Sequence, residues 1–98
     1  MNQIHPIKPV EINSNPRLNT PIEYFNEKLL KQDWHEEIFV KNENYHAIII
    51  TSAYAFEGIM DDVIKEFKQA GWDCFYGSAY DARGPHRCFY VNKNHFNK

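Results

Sequence analysis

Within eleven residues the sequence gathers Tyr80, Asp81, Arg83, His86, Arg87 and Tyr90. A histidine that takes and returns a proton near pH 7, beside an arginine that binds a phosphate, is the minimum equipment of a metal-independent ribonuclease. His86 would be its acid/base and Arg83 its phosphate ligand. The tyrosines allow a second chemistry, in which exposed rings stack the bases of a single-stranded nucleic acid. Lys41, Arg83, Arg87, Lys93 and Lys98 are the available cations for that use, against a net charge of −2. The third chemistry is recognition without reaction. Tyr76, Tyr80 and Tyr90 with a polar rim of Arg83 and His86 have the composition of a protein-binding surface.

Other chemistries find less in the chain. A metal site needs closely spaced ligands, whereas His35, His46 and His86 fall on separate elements and His5 and His95 near the ends. No cofactor site is expected. There is no glycine-rich phosphate loop, G-x-S-x-G or C-x-x-C. The stretch Thr51-Ser52-Ala53-Tyr54 leads into a helix N-terminus, an anion-friendly position that every such loop shares. The passage GWDCFYGS at residues 71–78, followed by His86, resembles the helix–Gly–Trp–strand–His passage of HicA-type toxins over about a quarter of the chain. Their short Gly-Ser-His spacing is absent, so no catalytic residue is carried across.

The elements that must hold these residues follow from pattern. Residues 1–19 contain three of the five prolines and read as an extended arm, with Ile4, Ile7, Val10 and Ile12 as pegs. Thr20-Pro21-Ile22-Glu23 has the form of a capping box and predicts a helix over 21–32. Ile22, Phe25 and Leu29 line its buried face, widened by Tyr24 and Leu30. Residues 37–40 (EIFV) predict a strand, Asn42-Glu43-Asn44 a turn and residues 45–52 a second strand. Ile48-Ile49-Ile50 is apolar on both faces, which predicts a central strand. Phe56, Ile59, Met60, Val63, Ile64 and Phe67 recur at helical intervals opposite charged residues and predict a core helix over 56–70, closed by Gly71. Residues 72–80 and 86–93 complete a hairpin through a five-residue turn, and 94–98 read as a loose tail.

The expected fold is therefore α+β in the order helix–ββ–helix–ββ. A four-stranded, mainly antiparallel sheet in the order 1-2-4-3 is packed by two helices in a single domain over 20–98. Pairing Tyr80 with His86 places Cys74, Tyr76, Ser78, Tyr80, His86, Cys88, Tyr90 and Asn92 on one face. Phe75, Gly77, Ala79, Arg87, Phe89 and Val91 then face the 56–70 helix, with Arg87 at the strand end where it can reach water. The two cysteines would share a face about 13 Å apart, too far to bridge, as small buried hydrophobes.

With 98 residues and two cysteines, the chain supports one modest core and no disulfide framework. No apolar run is long enough to span a membrane, and the start lacks a signal-peptide core, so a cytoplasmic protein is expected. No motif fixes a reaction. The expected function is a small non-enzymatic protein-binding module, such as the accessory or inhibitor proteins of phages and mobile elements, anti-defence proteins among them. A single-stranded nucleic-acid-binding protein and a small ribonuclease using His86 and Arg83 are the alternatives.

Overall fold

The computed structural model describes residues 19–50 and 59–96. It is a small α+β domain with two helices and a three-stranded antiparallel sheet. Helix α1 (Asn19–Lys31) leads to strand β1 (Tyr45–Ile50), helix α2 (Met60–Gln69), strand β2 (Cys74–Asp81), strand β3 (Gly84–Asn92) and a closing 3-10 turn, Lys93–Phe96. The sheet order is β1-β3-β2, the relative order expected for these three strands. Apart from Asn19, which opens α1, the expected arm lies outside the described residues, as does Phe56. No helix among the described residues is long and apolar enough to cross a membrane.

Both helices form where the apolar spacing requires and pack on one face of the sheet. Ile22, Phe25 and Leu29 of α1 meet Met60, Val63, Ile64 and Phe67 of α2 over Ile48, Ile50, Cys74, Phe89 and Val91. At its centre Phe25 stacks on Phe89 at 4.5 Å, and Phe67 meets Phe89 edge-on at 5.2 Å. Each such ring removed from water contributes roughly 1.5–3 kcal/mol. Leu30 points away from this core and is exposed, which narrows the buried stripe of α1.

The helix ends have a common chemistry. After α2 the Gly71 N–H donates to the Lys68 carbonyl and the Trp72 N–H to that of Phe67, with Gly71 at φ +104°. This closing motif needs a left-handed residue, and glycine supplies it without strain. After α1 the same pair of bonds runs from Gln32 and Asp33 to Leu29 and Lys28, with Gln32 itself at φ +51°.

Four expectations are corrected. Residues 37–40 are not a strand. The His35 N–H donates to the Ala47 carbonyl of β1, and the Phe39 N–H to the Tyr80 carbonyl of β2. Those strands lie on opposite sides of β3, about 10 Å apart, a span four extended residues cover. The chain from 33 to 44 is thus a loop laid across the face opposite the helices. Its Ile38 is buried there among Ala47, Ala79, Cys88 and Tyr90.

This loop also explains why β1, expected to be central, is an edge strand. Its isoleucines are apolar on both faces because helices cover one and the loop the other. The tail correction is simpler. Lys93–Phe96 forms a turn whose His95 is buried and accepts the Asp73 N–H at 2.8 Å.

The fourth correction is the hairpin register. Tyr80 pairs with Pro85 and Asp81 with Gly84, across the two-residue turn Ala82-Arg83. Pro85 has no N–H to give, and opposite Tyr80 none is needed, since the Tyr80 carbonyl points outward to Phe39. A slip of one residue exchanges the faces of a strand. Tyr76 and Tyr80 therefore share the helix side with Arg87, Phe89 and Val91. His86, Cys88 and Tyr90 share the loop side with Phe75, Gly77 and Ala79. Cys74 and Cys88 are both buried and free, as expected, but on opposite faces.

Candidate functional site

At the distal end of the hairpin, Asp81 is 4 % exposed and its carboxylate accepts four hydrogen bonds. Oδ1 takes the Arg83 backbone N–H at 2.8 Å and His86 Nε2 at 2.9 Å. Oδ2 takes the Arg83 guanidinium and His35 Nε2, each at 3.0 Å. An aspartate bonding the backbone two residues on is the local signature of a tight turn, and it sets the register here. An ionised carboxylate only accepts, so both imidazoles hold their proton on Nε2. Burial alone would raise the Asp81 pKa. The donors of Arg83, His35 and His86 outweigh it and hold the carboxyl well below the usual carboxylate range.

The cluster ties three separate pieces together: the loop through His35, the turn through Arg83 and β3 through His86. The two imidazole rings stand 6.1 Å apart at 72°, and no partner among the described residues bonds the Nδ1 of either. The described residues contain no group of three or more His, Cys, Asp or Glu arranged to hold a metal ion.

The expected site residues divide. Tyr80 is 59 % exposed beside the cluster, and Arg83 reaches solvent from the turn. Tyr76 is half-buried, with its hydroxyl accepting from the Arg87 guanidinium at 2.9 Å and that cation over its ring. His86 is engaged with Asp81. Tyr90 is in the core on the other face. Its ring stacks on Phe75 at 4.7 Å, and its hydroxyl donates to the Ser78 carbonyl at 3.2 Å. Room for that ring comes from Gly77, where a Cβ would lie 3.3 Å from Tyr90 Cε2.

Three residues of this region carried no site assignment from sequence: His35, Phe39 and Val40. Phe39 is 69 % and Val40 85 % exposed, and the Phe39 N–H bond to the Tyr80 carbonyl sets them next to Tyr80. Read as a strand, Phe39 and Val40 were divided between two faces. No local signal marks them, because their placement rests on the backbone bonds of His35 and Phe39 to β1 and β2.

Burial keeps the thiols inert, with Cys74 pushed up to about 12 and Cys88 to about 11. Neither is equipped as a nucleophile. No family model matches the chain, and no curated protein or solved structure with which it was compared matches it either.

Proposed function

We propose that the chain is a small protein-binding module that engages its partner through Phe39, Val40 and Tyr80, with Arg83 at the rim. In this reading it is an accessory or inhibitor protein of the mobile-element kind, acting by covering part of a host protein complex. The observation that carries it is the exposure of these three large apolar side chains on two segments joined by the bond from the Phe39 N–H to the Tyr80 carbonyl. Single exposed hydrophobic residues are ordinary on any surface, whereas a contiguous set marks a contact site. The Asp81 cluster supports the reading, since it fixes both chain segments that carry the patch and lowers the entropy lost on binding.

The alternatives rank behind it on geometry. A base-stacking platform on the expected tyrosines is reduced to Tyr80, the one of Tyr76, Tyr80 and Tyr90 that exposes most of its surface, with Phe39 as a second exposed ring and the chain at a net charge of −2. A ribonuclease needs its arginine turned to substrate, and Arg83 is turned to Asp81.

The test is capture from host lysate with and without nuclease, then calorimetry with the identified partner. Tyr80→Ala and Val40→Asp should each weaken binding by about 1–3 kcal/mol while the fold persists. Capture abolished by nuclease would replace the protein partner with a nucleic acid. Cleavage of RNA by the purified protein would make it an enzyme. Unchanged affinity in both variants would remove the patch from the interface.

A further inference from the structure

Beneath the loop, on the side of β1, lies a cavity of about 80 Å³. Trp34, Glu36, Lys41, His46 and Lys93 are among the residues lining it. The geometry points to a binding site for one compact oxyanion, a phosphate or a carboxylate, held by the donors of Trp34, His46 and Lys93.

The walls are rigid. Trp34 and His46 stack face to face at 4.2 Å with an interplanar angle of 4°, and Phe96 packs its edge against both. Lys93 is positioned by its own backbone, whose N–H donates to the Asn44 carbonyl at 2.9 Å. These aromatic walls cannot close on the space without giving up their stacking.

The polar groups are unbalanced. The Trp34 indole N–H, the Lys93 ammonium and the His46 imidazole have no hydrogen-bond or ion-pair partner among the described residues. Lys41 is matched by Glu36 at 3.2 Å, which leaves Lys93 as the excess charge. Burial and the nearby Lys93 cation push the His46 pKa down, so a neutral imidazole still supplies one N–H. Of the acceptors in the same walls, Glu36 Oε1 takes the Lys41 ammonium and the Asn42 amide oxygen the Asn44 N–H. Three unpartnered donors, with two lysines against the one carboxylate of the lining, are complementary to a group that only accepts and carries negative charge. Its volume of about 80 Å³ suits one compact group of this kind. The lining takes in Ile38 and Lys41, which flank the patch, but not Phe39, Val40, Tyr80 or Arg83, so the donors of the site are distinct from the proposed protein contacts.

The test is an NMR titration of the full chain at constant ionic strength with sodium phosphate, sodium acetate and a short acetylated Asp-Glu-Asp peptide amide. The Trp34 indole N–H should shift saturably while that of Trp72 stays still. Lys93→Gln, shown folded by its spectrum, should raise the dissociation constant about tenfold, and Lys65→Gln on the exposed side of α2 should not. Saturation by phosphate alone identifies a free oxyanion as the ligand. Saturation by acetate and the peptide identifies a protein carboxylate. Absence of a saturable Trp34 shift with all three probes would overturn the site and leave the cavity to water, as would a Lys93→Gln protein that titrates like the parent.

Discussion

The pair Tyr80→Ala and Tyr90→Ala isolates the consequence of the hairpin register. With Tyr80 opposite Pro85, the two tyrosines lie on opposite faces and in opposite environments. Tyr90 is 8 % exposed, stacked on Phe75, laid over Gly77 and bonded to the Ser78 carbonyl. Truncating a buried aromatic ring costs about 3–5 kcal/mol, the removed contacts plus the cavity left behind. That is a large part of the roughly 5–15 kcal/mol that holds a domain of this size. Tyr80 is mostly solvated, so its truncation should cost less than about 0.5 kcal/mol. In urea, with a slope of about 1.5 kcal/mol per molar, the Tyr90 variant should melt roughly 2–3 M earlier. The Tyr80 variant should match the parent. Should Tyr90→Ala fail to fold, Tyr90→Phe loses only the long bond to Ser78 and should cost about 0.5–1 kcal/mol. A Tyr80→Ala loss as large as that of Tyr90→Ala would refute the reasoning. It would put both rings on one face, and Tyr80 opposite His86.

Three further outcomes are expected. His46 and His95 both have pKa values lowered from 6.5 by burial, so the unfolded chain takes up those protons first and stability should fall as pH drops below about 6.5. The depressed Asp81 carboxyl contributes stability that is complete above its ordinary value of 3.8 and lost on further acidification, so urea midpoints against pH should show a second fall there, which Asp81→Asn diminishes. Cys74 and Cys88, with thiols at about 12 and about 11, should resist a disulfide reagent at pH 8 in the native protein and both react in urea. Rapid native labelling of either would contradict its burial.

The helices were legible because their signal is repetitive. Ile22, Phe25 and Leu29, and then Met60, Val63, Ile64 and Phe67, are each buried as their spacing demands. Strand positions were legible too, within about two residues. The register was not, because it hangs on one turn. Asp-Ala-Arg-Gly-Pro reads equally as five loop residues or as a two-residue turn flanked by paired ones. Only the bond from the Arg83 N–H to the Asp81 carboxylate separates them. That single unit moved His86 and Tyr90 away from Tyr76 and Tyr80 and divided the expected surface. The loop was illegible for a different reason. Glu-Ile-Phe-Val carries strand-forming residues, but its direction is set by two backbone bonds to strands distant in sequence. His35 reaches Asp81 across 46 positions, a link no local pattern contains.

The outward carbonyls of the sheet have a consequence for how the protein behaves at high concentration. On β1 the Ala47 and Ile49 carbonyls accept from the His35 N–H and the Tyr24 hydroxyl, and on β2 those of Ser78 and Tyr80 accept from the Tyr90 hydroxyl and the Phe39 N–H. A strand that tried to lengthen the ladder from either side would meet N–H groups whose matching acceptors are already engaged, and could form only part of its bonds. Bare strand margins are the usual seeds of amyloid-like stacking. Here the protein's own loop, helix and tyrosine act as a selvedge that stops the fabric at three threads.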